Sequence, residues 1–261
     1  MAYIDGVPAS PDQLRALALL NYGHFTSMRA DAQRVRGLSH HLDRLASHCL
    51  QLFAADLDRE WVRSLVRDAV ASQGSESAVV RVTIFDPTMD LGRPWVERAS
   101  PVVLVTTRPA GPAYPGPFRV RSVTYQRDLP EVKHIGLMGP LWQRRHAQRN
   151  GFDDALFSDR ESFISEGPTW NVAFHDGGRL IWPQAPVLEG VTMRLLQQVH
   201  DQSVIRPVNL RDIPMMRAAF ATNTTIGVRP IAAIDSVELP IDTEMLQFLR
   251  KEYEEIPPER I

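Results

Sequence analysis

Residues 107–117 read Thr-Arg-Pro-Ala-Gly-Pro-Ala-Tyr-Pro-Gly-Pro, four prolines and two glycines in eleven positions. Proline removes a backbone donor and fixes φ, and glycine resists ordering, so such a run opposes both helix and strand. It divides the 261-residue chain into an N-terminal domain over 1–107, a linker over 108–117 and a C-terminal domain over 118–261. Each flank is long enough to bury its own core. Before the linker, apolar patterning predicts strands over Phe25–Arg29, Ala78–Phe85 and Val102–Thr106, and two helices. One helix starts at the cap Ser39 and buries a stripe of Leu42, Leu45, Cys49 and Leu52; the other covers about Asp58–Ser72. After the linker, the alternation in Phe118–Val123 predicts a half-buried strand, and Met138–Asn150 a helix that stops at Gly151. A strand-rich stretch follows as far as Trp182, turning at Asp176-Gly177-Gly178. A helix from Val191 through Val199, a strand over Ile231–Val237 and a helix over Thr243–Glu254 complete the pattern. Strands mixed with helices on both sides of a linker indicate two α/β or α+β domains.

The net charge is -2 and neither half carries a long basic run, which argues against nucleic acid and anionic membrane as partners. The opening Met-Ala-Tyr-Ile-Asp-Gly has no basic segment followed by an apolar one, and no apolar stretch reaches membrane-span length. The expectation is a cytoplasmic protein. The one cysteine, Cys49, has no partner for a disulfide and sits on a helix stripe, so it reads as a small buried hydrophobe. His40, His41 and His48 share a helix at metal-like spacing but lack a further ligand, so no metal site is expected.

The cations are unevenly chosen. Lys and Arg total 29, yet only Lys133 and Lys251 are lysines. Arginine replaces lysine wherever a surface charge suffices, but its guanidinium does not form imines. Lys251, in Arg-Lys-Glu-Tyr-Glu-Glu, reads as a solvated helix face. Lys133, in Val-Lys-His-Ile-Gly-Leu-Met-Gly, has apolar and small neighbours, and is the candidate for amine chemistry; a partly buried structural lysine is the alternative reading.

Beyond Lys133 come Gly151-Phe-Asp-Asp-Ala-Leu-Phe157, then Ser165-Glu166-Gly167, then Asn171 five residues after the glutamate. Trp182-Pro183 and Leu188-Glu189-Gly190-Val191-Thr192 follow. Upstream stand Phe25-Thr26-Ser27-Met28-Arg29 and His41-Leu42-Asp43-Arg44-Leu45, and downstream the segment Phe220–Pro230. In this order the segments resemble the class IV aminotransferases, the fold-type IV enzymes that include branched-chain aminotransferase, D-amino-acid aminotransferase and 4-amino-4-deoxychorismate lyase. The resemblance covers most of the chain. It implies a small N-terminal α/β domain and a larger C-terminal pseudo-barrel domain, pyridoxal 5′-phosphate as cofactor in the interdomain cleft, and at least a homodimer.

The resemblance also implies roles. Lys133 would form the imine with the cofactor aldehyde and then shuttle protons, which among side chains only an amine can do. Glu166 would stand beside the pyridine nitrogen and keep it protonated. Arg44, the helix start at Val191 and Thr192, and Thr224 would hold the phosphate. Asn171 would belong to the cofactor site, with Trp170 beside it either walling the pocket or packing in the core. Thr26, Arg29, Arg127 and Thr225 are candidates for the substrate, Arg127 for its carboxylate or else as a surface cation. Arg144 and Arg145 read as a solvated helix face.

Three positions depart from the usual pattern. Gly136 stands where many relatives have asparagine, Met138 where branched-chain enzymes have tyrosine, and Thr26 where many aminotransferases have glutamate. The first two remove polar contacts near the cofactor ring, and the third, with the Lys133-His134 pair, leans toward the lyase branch. The leading function is amino-group transfer between a small amino acid or amine and a 2-oxo acid. The alternatives are an aminodeoxychorismate-type elimination releasing pyruvate, and a non-catalytic homologue that only binds the cofactor.

Overall fold

The computed structural model describes residues 2–95 and 98–261. In chain order the elements are β1 (Ala2–Ile4), β2 (Val7–Pro8), α1 (Pro11–Leu20), β3 (His24–Asp31), β4 (Arg34–Val35), α2 (Leu38–Phe53), α3 (Arg59–Gln73), β5 (Ser77–Phe85) and β6 (Val102–Pro109). They continue with β7 (Phe118–Thr124), α4 (Met138–Arg149), β8 (Asp154–Ser158), β9 (Asn171–His175), β10 (Leu180–Pro183) and α5 (Val191–Val199). Last come β11 (Ser203–Arg206), a 3-10 turn over Leu210–Met215, β12 (Ala218–Asn223), β13 (Gly227–Ile234), β14 (Val237–Glu238), α6 (Thr243–Glu255) and β15 (Glu259–Arg260). The chain packs as two compact units. One is Met1–Gly111 with Val132–Gly136 and Pro257–Ile261; the other is Pro112–Glu131 with Leu137–Ile256.

The first unit is an antiparallel sheet in the order β15-β4-β3-β5-β6-β1-β2, with α2 and α3 contributing to its main core. Met28, Val80, Val82, Ile84, Val103 and Val105 of the sheet pack with Leu38, Leu42, Leu45, Cys49 and Phe53 of α2 and Val62, Leu65, Val66, Ala69 and Val70 of α3. Those helix residues recur at helical spacing, so one stripe of each helix enters the core. Asp58 caps α3, accepting from the N–H of Glu60 (2.9 Å) and Trp61 (3.1 Å). Helix α2 differs from the expectation. Its cap is Gly37 in the left-handed region (φ 67°), without a side-chain cap bond, and Ser39 lies in the first turn. The first-turn acceptor comes from the far end of the chain: the Glu259 carboxylate takes the Ser39 N–H (3.1 Å) and Oγ (3.2 Å). A carboxylate there also complements the helix dipole.

One helix is new and two strand boundaries move. Helix α1 has no counterpart in the sequence reading; it is set by a capping box in which Ser10 and Gln13 exchange side-chain bonds. Strand β6 runs three residues past the expected end at Thr106, through Thr107, Arg108 and Pro109, because β5 offers partners at Val80, Val79 and Ala78. The strand expected over Ile231–Val237 breaks at Asp235 (φ 52°), where β13 turns into β14.

The second unit is a mixed sheet ordered β11-β10-β9-β12-β13-β7-β8, with β14 on β13. Strands β8, β9, β10, β12 and β13 are mostly buried on both faces, whereas β7 and β11 are partly exposed, and alternation sorts the side chains. Val172, Phe174, Ile181, Ala219 and Ala221 enter one cluster with Phe118, Val120, Leu156 and Ile231. Ala173, Leu180, Trp182, Ala218 and Phe220 enter another with α5 and α6. The first cluster gathers residues from β7 and β8 at one end of the sheet and from β10 near the other, so the sheet curls around it.

Candidate active site

In the first unit the lysine is locked through its backbone. Strand β3 carries Phe25, whose N–H donates to the Lys133 carbonyl (2.8 Å), and the Ile135 N–H donates to Gly23 (3.0 Å). The Lys133 N–H points at His48 Nδ1 (3.4 Å). These bonds dock Val132–Gly136 along β3, with a bridge between His24 and His134. The Lys133 amine stands 4.8 Å from the centroid of the Phe25 ring. An ammonium is attracted to a ring face, so the phenyl fixes the direction of the side chain. By contrast Lys251 lies on α6, 73% exposed, beside Glu255.

Strand β3 also carries Thr26, and α2 carries His41 and Arg44 one turn apart. Arg44 Nη2 donates to Thr26 Oγ1 (2.6 Å), and Thr26 Oγ1 lies 2.6 Å from His41 Nδ1. Arg44 Nη2 also lies 3.4 Å from His41 Nδ1, so a neutral imidazole with Nδ1 bare can face both the guanidinium and the Thr26 hydroxyl. Thr26, a substrate candidate in the sequence, is fully buried here and bonded to Arg44 and His41. Arg29 pairs with Asp31 (3.0 Å) and donates to the Gly111 carbonyl (2.8 Å).

In the sequence, His41 stands out as part of the His41–Leu45 motif and, with His48, at metal-like spacing, whereas His24 carries no signal. Among the described residues no group of three or more His, Cys, Asp or Glu would hold a metal ion. His24, His41 and His48 are instead buried imidazoles around the lysine segment. Burial, then His48 and Arg44, push His24 down to about 3. Burial, then Arg44, Lys133 and His40, hold His41 well below the ordinary histidine range. Both are therefore neutral at neutral pH. The one available signal was the spacing of His41 and Arg44, three residues apart and so on one helix face.

In the second unit, Glu166 and Asn171 lie on either side of a tight loop. The Glu166 carbonyl accepts from Phe157 (2.8 Å), and the Gly167 N–H donates to Trp170 (2.8 Å). A side chain on Gly167 would meet the Trp170 ring at 2.0 Å, so glycine is required there. Trp170 is core: it is 4% exposed and donates to Asp154 (2.9 Å). Arg144, expected in solvent, grips the same Asp154 through two bonds (2.9 and 2.8 Å) and donates to Thr169 (2.7 Å). Arg145 is exposed.

Asn171 ties this loop to the start of α5. Its Nδ2 donates to the Leu188 carbonyl (2.8 Å), and its Oδ1 accepts from the Gly190 N–H (3.1 Å). A Cβ on Gly190 would lie 2.2 Å from that oxygen. Helix α5 then begins at Val191 without a side-chain cap, and Thr192 is fully buried with no hydrogen-bond partner for its hydroxyl among the described residues. Glu166 is 4% exposed; its Oε1 faces the Leu188 N–H (3.4 Å) and Arg127 Nη1 (3.7 Å). Arg127 is therefore a buried cation, not a surface one. Thr224 and Thr225 lie in the turn between β12 and β13, where Asn223 accepts from the N–H of Thr225 and Ile226 (both 2.9 Å) and donates to Thr169 (3.0 Å).

A family profile described as "Amino-transferase class IV" matches residues 23–234. The chain belongs to the class IV aminotransferases. It is 25% identical over 230 residues to a protein of Methanocaldococcus jannaschii named a putative branched-chain-amino-acid aminotransferase, covering 82% of this chain and 78% of that one. It is 24% identical over 245 residues to the chloroplastic D-amino-acid transaminase of Arabidopsis thaliana, covering 85% and 65%. The crystal structure of branched-chain aminotransferase from Thermobaculum terrenum, in its pyridoxal-phosphate form, superposes with a TM-score of 0.84 over 98% of this chain and 92% of that one, at 17% identity. That likeness establishes the fold, fold-type IV. This class IV aminotransferase is a pyridoxal-phosphate enzyme acting on amino and oxo-acid substrates.

The residues present fit the cofactor. An uncapped helix start with an unpartnered buried hydroxyl is the donor set a phosphate requires. A buried carboxylate suits a ring nitrogen, and a lysine amine suits an aldehyde. Among the described residues no helix is long and apolar enough to cross a membrane.

The neutral histidines generate a pH dependence. His24 falls to about 3 in the fold against 6.5 in an open chain, and His41 moves the same way. The unfolded chain therefore binds more protons, and the stability these groups contribute is present above pH 6.5 and lost as pH falls toward the folded values. Each histidine should cost about 1.4 kcal/mol between pH 7.5 and pH 5.5. Urea unfolding at the two pH values should show that loss, and His24→Leu should remove its share.

Proposed function

We propose that this class IV aminotransferase transfers an amino group between a small amino acid or amine and a 2-oxo acid, with Lys133 as its catalytic residue. The observation that carries the reading is the setting of Lys133: a backbone held at both N–H and carbonyl, and an amine directed over Phe25. When bound, pyridoxal phosphate supplies an aldehyde for covalent attachment and a ring that withdraws electrons from the substrate α-carbon. Lys133 would hold the cofactor, be released by the incoming amine, and then move the proton at the α-carbon. Glu166 would keep the proton on the ring nitrogen. Val191, Thr192, Thr224 and Arg44 would hold the phosphate, and Asn171 would act by holding the loop that starts α5. The Thr26–His41 pair would aim Arg44. Part of the same reading is that a second copy of the chain covers exposed apolar side chains of α4, among them Met138, Leu141 and Trp142.

Borohydride reduction of the holoenzyme followed by peptide mapping should place the pyridoxyl group on Lys133. A label on Lys251, or none after reconstitution, would sink the assignment. Turnover should require both an amino donor and an oxo-acid acceptor. Arg44→Ala should raise the dissociation constant for pyridoxal phosphate by about tenfold to a hundredfold, the value of one charge-assisted contact of about 1.5–3 kcal/mol. Equilibrium titration of the apo-protein measures it, and an unchanged constant would remove Arg44 from the phosphate site.

A further inference from the structure

Arg127 and Glu166 form a buried ion pair in the second unit, with side chains 6% and 5% exposed and Nη1 3.7 Å from Oε1. The Leu188 N–H approaches the same oxygen at 3.4 Å. The guanidinium and the peptide N–H approach the same oxygen, Oε1, so both favour negative charge on it. Arg127 follows the end of β7 on the irregular segment that leads toward Lys133, and it is among the most buried arginines of the chain. A guanidinium does not lose its proton, so it is a permanent positive charge.

We propose that Arg127 is a positioning residue that acts through Glu166, holding it as an oriented carboxylate so that the proton it shares with the cofactor ring stays on the ring nitrogen, and that it is not the anchor for the substrate carboxylate. The inference rests on the reading of Glu166 as the ring-nitrogen partner. One proton has two possible owners in that pair, the carboxylate and the pyridine nitrogen. A positive charge stabilises whichever arrangement puts negative charge nearest to it. Arg127 lies 3.7 Å from the carboxylate; with Glu166 as the ring-nitrogen partner, the carboxylate would stand nearer the guanidinium than the ring nitrogen would, so the charged pair of carboxylate and pyridinium would be favoured over the neutral pair. Without the guanidinium a carboxylate buried this deeply would be pushed toward its protonated form, and the ring would lose its proton to it. No bond other than that to the proton changes.

The test uses holoenzyme reconstituted with pyridoxal phosphate labelled with nitrogen-15 in the ring, whose chemical shift reads ring protonation directly. Wild type and Arg127→Lys should show a protonated ring nitrogen. Arg127→Gln, which keeps a donor but not the charge, should move the proton equilibrium toward the bare ring by about tenfold or more. With an amino-acid donor, Arg127→Gln should lower kcat while leaving KM within about threefold of wild type. A ring that stays fully protonated in Arg127→Gln while Glu166→Gln deprotonates it would overturn the inference and leave the Glu166 reading standing. A ring unchanged in Glu166→Gln would overturn that reading itself. A tenfold rise in KM for the amino-acid donor in Arg127→Gln, with an unchanged ring signal, would make Arg127 the substrate anchor instead.

Discussion

The side-chain amide of Asn171 does the most to shape the second unit. Its nitrogen bonds the Leu188 carbonyl and its oxygen the Gly190 N–H, so one planar group fixes both ends of a three-residue corner. That corner decides two other things. It presents the Leu188 N–H to Glu166, and it starts α5 without a side-chain cap and with the Thr192 hydroxyl buried in its first turn. An amide satisfies a donor and an acceptor at once, and only glycine at 190 lets it come so close. An aspartate could not donate to Leu188, and an alanine would leave both backbone groups buried and unmatched, at about 1–3 kcal/mol each.

The first unit solves a different problem, how to keep an amine directed. The solution is a peptide segment bonded along β3, an aromatic ring under the amine, and imidazoles that stay uncharged because they are buried. The same burial keeps His41 neutral, and the Thr26 hydroxyl sits between His41 Nδ1 and the Arg44 guanidinium. Where Thr26 stands, a carboxylate would neutralise the guanidinium; a hydroxyl accepts its hydrogen bond and leaves the charge intact.

What was legible in the sequence was local or ordered along the chain. The stripes of α2 and α3, the start of α5 at Val191 and the alternation of β7 follow from periodicity, and the family follows from the order of its motifs. What was not legible depends on residues distant in sequence. Ser39 looked like a cap, but its helix is served by Glu259, some 220 positions away, and the cap itself is a left-handed glycine. Arg144 looked solvated because its partner Asp154 follows a turn whose path the helix pattern does not reveal. Arg127 looked like a substrate or surface cation because its burial against Glu166 requires a segment beyond β7 to meet a loop some forty residues later. Helix α1 was a different case: Ser10, Pro11 and Gln13 carried its cap signal and Leu14, Leu17 and Leu20 recur at helical spacing, yet none of its residues is fully buried and Leu17 packs only partly against Ile4, Phe85 and Leu104.

The central claim is that the chain moves an amino group through its cofactor. The most direct measurement is a single turnover of the holoenzyme with a panel of amino-acid and amine donors and no acceptor, followed by absorbance and by assay of the released acid. The account predicts that at least one donor converts the bound cofactor from its aldehyde form to its amine form with stoichiometric release of the carbonyl product, and that adding a 2-oxo acid restores the original spectrum. Continuous release of pyruvate in the absence of any acceptor, or a spectrum unmoved by every donor, would contradict it.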